Sequence, residues 1–313
     1  MLLPLNQSIR RIDHNRWRMG SLECERIEGT PSTDTLAAWE ETGCTYVLQR
    51  TKDGGIACPR FVKPSDEVQL VHEGGSSSAV WAIGSQAFCK VKAWNSAMEP
   101  EDETIAFVKK IAPQISTPEV IYTWIDHDRS YMILRRIEGS TLRDAWISLS
   151  SSQRDSVVKT VAAYCDFLAQ NTSQMLGSVT GKPVLEPYLA PSGSDLLGSF
   201  THEECARYFS ASSAESPTLG RVFQFYHPDL GPGNIIMSHG MVAGIIDWEA
   251  AGYYPQFWVA TKPSVSPGLD FYPPVAEFED FEWRKRLRTE LETLGYPQAS
   301  GWYLKWRTFR VKN

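Results

Sequence analysis

The strongest constraint on the fold of this chain is one segment, FYHPDLGPGNIIMSHGMVAGIIDWE, which runs from Phe225 to Glu249. Two short apolar runs are joined by a turn that contains Gly240, a pattern that predicts a β-hairpin. The ends of a hairpin lie side by side, so Asn234 and Asp247 should be neighbours, with cross-strand Cα separations of about 4.5–5.5 Å. Asp229 precedes Asn234 on a short loop rich in glycine and proline. The segment therefore predicts two carboxylates and one amide oxygen at the edge of a buried ribbon.

This set of oxygen ligands suits Mg²⁺, which keeps several waters and takes one or two carboxylates plus substrate phosphates. The spacing D-x-x-x-x-N, followed by a hairpin and a second Asp, is also the pattern of kinase catalytic sites. In that pattern Asp229 accepts a hydroxyl proton, and Asn234 and Asp247 bind the metal. We include His227 among the candidate catalytic residues as a hydrogen-bonding support of this loop, because Asp229 is the better-placed base.

The composition of the chain limits the class of protein and the kinds of partner that fit this site. The chain has 313 residues, 42% of them hydrophobic, which is typical of a soluble protein with one large domain or two lobes. Its formal net charge of −6, from 31 basic and 37 acidic residues, argues against a nucleic-acid partner, which would require a basic face. Six cysteines without a C-x-x-C pair, no signal peptide and no membrane-length apolar run predict a reduced, cytoplasmic protein with no membrane partner. The oligomeric state is not legible from the sequence.

The chain divides into three stretches by the periodicity of its apolar residues. Residues 1–65 lack clear periodicity and are interpreted as an N-terminal extension of unknown role, with a helix around Thr33–Thr42. Residues 66–137 contain five β-prone runs (VQLVHE, SAVWAIG, AFCKVKAW, PEVIYTWID and SYMILRRI) and a helix at Pro100–Ile111. Residues 138–313 read as mainly helical, with helices at Val157–Leu168, Glu203–Ser210 and Glu279–Leu294 and one β interruption at the hairpin. The predicted fold class is α+β: a small antiparallel β-sheet lobe with one helix, and a larger mainly helical lobe.

The motifs His227-Pro-Asp-Leu-Gly-Pro-Gly-Asn234 and Gly244-Ile-Ile-Asp247-Trp-Glu-Ala-Ala-Gly252 resemble those of the aminoglycoside phosphotransferase and choline kinase-like family, most closely its fungal branch. The similarity runs from about Val71 to Trp258. It implies a two-lobed protein-kinase-like fold and a small-molecule kinase that moves the γ-phosphate of ATP, or of GTP, onto a hydroxyl. The implied ligands are Mg²⁺, a nucleotide and a small-molecule acceptor.

The resemblance also implies roles for residues of the β-rich stretch. Lys90 would hold nucleotide phosphates, although Lys92 shares its strand face. Glu101, or else Glu103, would pair with that lysine, unless it is only a first-turn acid favoured by the helix dipole. The remaining cofactor-binding candidates are a turn over the phosphates (Gly74, Gly75 and Ser76) and a hinge whose backbone faces the base (Arg135, Arg136 and Ile137).

Two features concern the acceptor and regulation. Asp247 is followed by Trp-Glu where protein kinases have Phe-Gly, and no Ala-Pro-Glu motif follows, so an activation-loop switch is not expected. Beyond Asp247 the chain is dense in aromatic residues, which either line an acceptor site or pack in the core. They are Tyr253, Tyr254, Phe257, Trp258, Phe271 and Tyr272.

Two other functions fit the same residues. The site could phosphorylate a carboxylate, giving an acyl phosphate for ligation or cyclisation, which the sequence does not separate from hydroxyl transfer. Alternatively the chain could be a catalytically silent kinase-like binding module. Against the second alternative, none of the four key positions of the motif is substituted.

Overall fold

The computed structural model describes residues 4–51, 67–191, 194–210, 216–272 and 282–312. The chain forms two compact units: Met1–Ser96 with Pro118–Arg136, and Ala97–Thr117 with Ile137–Asn313. Strands and helices together make the mixed α+β class that the sequence predicts. The units differ from the three predicted domains in two respects: residues 1–65 and most of 66–137 fall into one unit, and the helix that begins at Glu101 belongs to the second unit.

In the described part of the first unit, the N-terminal residues build a five-stranded antiparallel sheet. Its strands are β1 (Ile9–Arg11), β2 (Arg16–Met19), β3 (Leu22–Ile27), β4 (Thr35–Glu41) and β5 (Cys44–Arg50), in the order β1-β2-β3-β5-β4. The helix predicted around Thr33–Thr42 is therefore wrong, since this segment is β4. Trp39 of β4 is buried and stacks on Tyr46 of β5, with ring centroids 5.6 Å apart. Cross-strand packing outweighs the local helix preference of Ala and Glu here.

A second five-stranded antiparallel sheet, also counted over the described residues, confirms the five predicted runs. It contains β6 (Val68–Gly74), β7 (Ser78–Ile83), β8 (Ala87–Ala93), β9 (Val120–Asp126) and β10 (Arg129–Arg135), in the order β6-β7-β8-β10-β9. We call the first sheet the N-terminal sheet and the second the central sheet.

The two sheets share one hydrophobic core. The N-terminal sheet contributes Trp17, Met19, Cys24, Trp39 and Leu48, and the central sheet contributes Ala79, Ile83, Cys89, Val91 and Ile133. Successive residues of a strand point to opposite faces, so Cys89 and Val91 face this core while Lys90 and Lys92 point away from it. The described part of the predicted N-terminal extension is thus a sheet that shares a core with the central sheet.

Seven α-helices lie in the described part of the second unit. They are α1 (Glu101–Ile111), α2 (Leu142–Ala145), α3 (Ser151–Ala169), α4 (His202–Phe209), α5 (Gln256–Val265), α6 (Glu282–Thr293) and α7 (Ser300–Lys312). Ser150 caps α3 in a capping box with Gln153, and Thr201 caps α4 in a capping box with Glu204. The predicted helices at α1, α3, α4 and α6 are confirmed, although Glu279–Phe281 of the predicted α6 lie outside the described residues. The sequence did not predict α5 or α7.

The second unit also contains short strands, so the prediction of a single β interruption is wrong. They are β11 (Ser140–Thr141), β12 (Thr172–Ser173), β13 (Met175–Leu176), β14 (Val184–Leu185), β15 (Leu196–Leu197), β16 (Phe200–Thr201), β17 (Phe223–Tyr226), β18 (Ile235–Ser238), β19 (Met241–Ile245) and β20 (Gly252–Tyr254). Most have two to four residues, which is too short for a readable period. Two small antiparallel sheets, β11-β18-β19 and β12-β17-β20, carry the motifs described below. No helix in the described residues is long and apolar enough to span a bilayer.

Candidate functional site

The predicted hairpin is present. Strand β18 pairs with β19, with Ile235 opposite Ile245, and the turn places His239 and Gly240 at positive φ values of 51° and 76°. A turn with two consecutive positive φ angles matches the right-handed twist of the strands. Glycine and small polar residues adopt such φ angles most readily. Just before the hairpin, the Asn234 carbonyl oxygen accepts the N–H of Ile246 at 3.0 Å. Asp247 therefore follows directly on the residue bonded to Asn234.

Asp229 and Asn234 are joined by hydrogen bonds. The Asn234 Nδ2 donates to both the backbone oxygen and the Oδ2 of Asp229, each at 2.9 Å. Because the Nδ2 of Asn234 points at Asp229, the amide oxygen of Asn234 points away from Asp229. The pair thus has one fixed carboxylate and one amide oxygen suited to a hard cation.

The Asp229 carboxyl has a strongly perturbed acidity. Burial raises its pKa to about 7, and the nearby Asp247 charge adds to the effect, while the Lys262 ammonium partly opposes it. A carboxyl that titrates near neutral pH is suited to accept a proton during a reaction. The structure thus gives the predicted base an environment that fits proton transfer.

His227 has both ring nitrogens engaged and is fully buried. Its Nδ1 accepts the N–H of Asp229 at 3.2 Å, and its Nε2 donates to the carbonyl oxygen of Ile246 at 3.2 Å. Because Nδ1 accepts, the hydrogen must be on Nε2, so the ring is neutral. The ring packs edge-on against Trp248, with centroids 4.7 Å apart. His227 therefore ties the Asp229 loop to the end of the hairpin.

Three carboxylates converge where the hairpin ends. Oxygen atoms of Glu101, Asp247 and Glu249 all lie within 4.8 Å of one another. Asp247 has φ 65° and ψ 59°, a left-handed conformation that costs a non-glycine residue about 1–3 kcal/mol and that concentrates at functional sites. Three like charges so close together repel one another, and hard oxygen donors of this kind fit Mg²⁺. We call Glu101, Asp247 and Glu249 the carboxylate cluster.

The structure shows a hydrogen bond of Glu101 that the sequence did not indicate. Its Oε1 accepts the N–H of Trp248 at 3.0 Å, which fixes the start of α1 beside the hairpin end. The alternative candidate, Glu103, is exposed. Glu249 was not among the predicted site residues, although the Trp-Glu that replaces Phe-Gly after Asp247 was a visible signal.

A buried ion pair lies under this region and was also missed. The Lys262 Nζ is 2.8 and 3.0 Å from the two carboxylate oxygens of Glu186, and both side chains are at most 6% exposed. The Trp258 indole N–H donates to the same carboxylate at 3.0 Å. Lys262 is the cation that partly opposes the rise in the pKa of Asp229. No sequence signal marks the pair, because its members are 76 positions apart.

The predicted phosphate residues belong to the first unit. On β8, Lys90 lies between Val80 and Met132 in the middle of the central sheet, whereas Lys92 lies nearer the strand end. The predicted turn is a tight hairpin, in which the Gly74 carbonyl oxygen accepts from the Ser77 N–H at 3.2 Å and the Ser77 hydroxyl at 2.8 Å. Gly75 in this turn has φ 60°, which glycine adopts without strain. The role of this turn and the choice between the two lysines remain predictions.

The predicted hinge begins at Arg135, the last residue of β10. The N–H of Arg135 donates to the carbonyl oxygen of Glu119 and that of Arg136 to the carbonyl oxygen of Gln86, both at 2.8 Å. These two N–H groups are thus engaged inside the first unit. A base bound as the resemblance implies would have to use other backbone groups of the hinge. Ile137 belongs to the second unit, where it packs against Gly244.

Most of the aromatic residues named beyond Asp247 are buried in the core. Tyr254, Phe257, Trp258 and Phe271 are at most 2% exposed. Phe257 and Trp258 lie on α5, an unpredicted helix that packs against α6 and α7, whereas Tyr254 lies on β20 and Phe271 packs against Trp146. Tyr253 is half-buried and Tyr272 is 82% exposed, so only these two remain candidates for contact with an acceptor.

Comparison with known proteins agrees with this geometry. A family model described as the phosphotransferase enzyme family matches residues 24–258. The fold is similar to that of amicoumacin kinase hAmiN, solved in complex with AMP-PNP, Ca²⁺ and Ami, at 11% identity and a TM-score of 0.51, over 79% of this chain and 80% of that chain.

Two further solved structures are similar at lower TM-scores. Apo aminoglycoside phosphotransferase APH(4)-Ia, a thermostable mutant, has 18% identity and a TM-score of 0.48 over 78% of this chain and 84% of that one. ADP-bound APH(2'')-Ib has 18% identity and a TM-score of 0.46 over 72% and 77%. At these identities the likeness concerns the fold. No curated protein sequence matches the chain.

Proposed function

The chain belongs to the phosphotransferase enzyme family, and from this premise we propose that it transfers the γ-phosphate of ATP or GTP to a hydroxyl group of a small molecule. The observation that carries the proposal is the bonded pair of Asp229 and Asn234 beside the carboxylate cluster. It unites a base with a pKa near neutrality and a set of oxygen donors for a divalent cation.

In the proposed reaction, Asp229 orients the acceptor hydroxyl and takes its proton. The hydroxyl oxygen forms a bond to the γ-phosphorus, the bond from that phosphorus to the bridging oxygen breaks, and the nucleoside diphosphate leaves with the electron pair. His227 keeps Asp229 in place through the 3.2 Å bond from the Asp229 N–H. The contribution of the protein is mainly positioning and electrostatics, as in phosphoryl transfer generally.

The residues that would hold Mg²⁺ are Asn234, Asp247 and Glu249, with Glu101 at the side of the cluster. When bound, the ion would neutralise phosphate charge. Within the first unit, we propose that Lys90 contacts nucleotide phosphates and that the turn Gly74-Gly75-Ser76 covers them. We also infer that the two compact units correspond to the two lobes of a kinase-like fold.

Thermal unfolding of wild type and Asp247→Ala, with ATP or GTP and with or without Mg²⁺, tests the proposal. A ligand at 100 times its dissociation constant adds about 2.7 kcal/mol of stability. We expect a stabilisation of wild type that needs both nucleotide and Mg²⁺ and that is lost in Asp247→Ala. Asp155→Ala, which removes an exposed carboxylate on α3, serves as the matched control and should keep the full effect.

Turnover assays complete the test. Asp229→Asn should keep the Mg²⁺-dependent stabilisation but lose phosphate transfer to a panel of hydroxylated small molecules. Phosphate release that requires a carboxylate acceptor and a nucleophile would indicate acyl-phosphate chemistry instead. If neither nucleotide stabilises wild type, the chain is a silent binding module. Tight Mg²⁺-ATP binding by Asp247→Ala would contradict the metal assignment.

A further inference from the structure

The N-terminal sheet and the residues just before it contact the central sheet at both ends of β7. Residues 1–65 had no legible role in the sequence, yet β1–β5 share a core with the strands that carry Lys90 and the predicted phosphate turn. We call the predicted turn over the phosphates, Gly74-Gly75-Ser76, the phosphate turn. Strand β7 (Ser78–Ile83) connects it to the turn before β8. Glu41 of the N-terminal sheet bonds to the turn before β8, and Asn6, which precedes the sheet, bonds to Glu73 next to the other turn.

At one end of β7, Glu41 holds the turn before β8. Its Oε1 accepts the N–H of Ser85 and, at 2.8 Å, the N–H of Gln86. Gly84 in this turn has φ 58°, and a Cβ there would collide with the Glu41 carboxylate. A carboxylate that accepts two backbone N–H groups makes one of the stronger classes of hydrogen bond. The last residue of β4 thus fixes the backbone of this turn.

The same turn is bonded to the predicted hinge. The carbonyl oxygen of Gln86 accepts the N–H of Arg136 at 2.8 Å, so Gln86 links Glu41 to the hinge through its two backbone groups. The Arg136 guanidinium lies 4.5 Å over the ring of Phe88, which adds a second tie between the hinge and the central sheet. A displaced Glu41 would therefore move the hinge backbone.

At the other end of β7, the N-terminal residues reach the phosphate turn. Asn6 Nδ2 donates to Glu73 Oε1 at 2.8 Å, and Glu73 immediately precedes the two glycines of the turn. Leu5, next to Asn6, is buried in the shared core, which anchors the donor. Pro4, Leu5 and Asn6 face Gly75 and Ser76 across a cavity of about 390 Å³. The Asn6–Glu73 bond, although exposed, joins residues 67 positions apart and ties the chain before β1 to the strand end that leads into the turn.

We propose that the N-terminal sheet and the residues just before it brace the nucleotide-binding strands, with Glu41 as the positioning residue for the hinge and Asn6 as the positioning residue for the phosphate turn. The proposal rests on the proposed function, because it assigns the hinge to the base and the turn to the phosphates. It gives the first fifty residues a role in nucleotide affinity and leaves the chemistry to the second unit.

The test compares two ligands that probe the two ends separately: the Mg²⁺-bound nucleotide that wild type prefers, and its nucleoside, which has no phosphates. Glu41→Gln should raise the dissociation constants of both ligands by about threefold to tenfold, since it weakens charge-assisted bonds beside the hinge. Asn6→Ala should raise that of the nucleotide by about threefold and leave that of the nucleoside unchanged. In both variants kcat at saturating nucleotide should stay within about twofold of wild type, because neither residue touches the reacting groups.

The matched control is Asp13→Asn. Asp13 is another carboxylate of the N-terminal sheet that accepts a turn N–H, from Asn15 at 3.0 Å, but it contacts neither end of β7. This variant should bind both ligands as wild type does. Glu41→Ala repeats the Glu41 measurement with the acceptor removed, and urea unfolding checks that every variant is folded at the assay temperature.

The outcomes separate the two proposals. Wild type that binds no nucleotide overturns the proposed function and this inference together. Wild type that binds nucleotide, with Glu41→Gln and Asn6→Ala indistinguishable from it, overturns the brace alone. If Asn6→Ala weakens nucleoside and nucleotide equally, or if Asp13→Asn weakens them as much, the N-terminal sheet supports general stability and not these two turns. Retained nucleotide affinity with a fall in kcat would also overturn the inference.

Discussion

Replacing Asp229 with asparagine should make the protein more stable while it removes the proposed base. The carboxyl is buried, and its pKa is raised from the ordinary 3.8 to about 7 by burial first and by the Asp247 charge second. The charged form is thus disfavoured in the folded state, which above pH 7 holds a buried carboxylate that Lys262 compensates only in part. An asparagine keeps the acceptor oxygen for the Asn234 amide and removes the charge.

The sign and size of the effect follow from linkage. Between pH 3.8 and about 7 the folded wild type binds the proton that the unfolded chain has lost, so stability falls as pH rises through this interval. The interval is about three pH units wide, and each pH unit corresponds to about 1.36 kcal/mol of unfolding free energy. The stability lost across the whole interval is therefore at most about 4 kcal/mol. About two of these units lie above pH 5. The advantage of Asp229→Asn over wild type should therefore widen by about 2–3 kcal/mol between pH 5 and pH 8.

The assay is urea unfolding of wild type and Asp229→Asn at pH 5, 6, 7 and 8, in a chelator, with tryptophan fluorescence as the signal. The free energies of unfolding are compared at each pH. Mg²⁺ added at pH 8 should narrow the difference, because a cation at Asp247 would compensate the buried negative charge. Asp155→Asn, at an exposed position, is the control and should differ from wild type by no more than about 0.5 kcal/mol at any pH.

Two results would refute this reasoning. One is a difference between Asp229→Asn and wild type that is the same at pH 5 and pH 8. The other is a variant that becomes relatively less stable as pH rises, which would mean that the folded state favours the charged carboxylate.

Further predictions concern other parts of the second unit. Lys262→Met should lower the free energy of unfolding by about 3–5 kcal/mol, because it leaves the Glu186 carboxylate buried without its cation. Adding Glu186→Gln should recover most of the loss, and a double variant as unstable as the single one would contradict this. Gly301→Ala on α7 meets no atom within 4 Å and should stabilise the protein by about 0.5–1 kcal/mol in thermal unfolding. By contrast, Gly252→Ala should destabilise it by about 1–3 kcal/mol, because the added Cβ would lie 2.5 Å from a valine methyl carbon and 2.8 Å from a carbonyl oxygen. Glu249→Gln should raise the Mg²⁺ concentration for half-maximal turnover with little change in nucleotide affinity without metal, and an unchanged Mg²⁺ requirement would remove Glu249 from the metal set.

The features that the sequence predicted correctly are local. The hairpin of β18 and β19 is marked by two apolar runs and a turn with Gly240, and its pairing fixes where Asn234 and Asp247 lie. Helix α3 is marked by its apolar spacing and by the serines before it, and its capping box involves residues three positions apart. Such signals are readable because every interaction they describe joins residues close together in the chain.

The errors and omissions involve residues that are distant in the chain. Thr35–Glu41 has residues that tolerate a helix, and its strand conformation depends on pairing with β5 and on a core shared by two sheets. The sequence left open whether Phe257 and Trp258 contact a ligand or pack in the core, and only the packing of α5, which carries them, decides for the core. A short window of sequence contains no information about these partners, so propensity and pattern cannot decide such cases.

For the candidate site, the sequence by itself determined which groups come together: the Asp229 and Asp247 carboxylates and the Asn234 amide, at a spacing that a hairpin brings together. Only the tertiary structure decided the surroundings. It placed Glu101 beside Trp248 across 147 positions of chain, and Lys262 against Glu186 across 76. These contacts result from the packing of α1, α5 and their neighbours, which depends on buried surface and charge in three dimensions. The acidity of Asp229 is set by the same burial and charges, and for this reason it is a property of the fold and not of the motif.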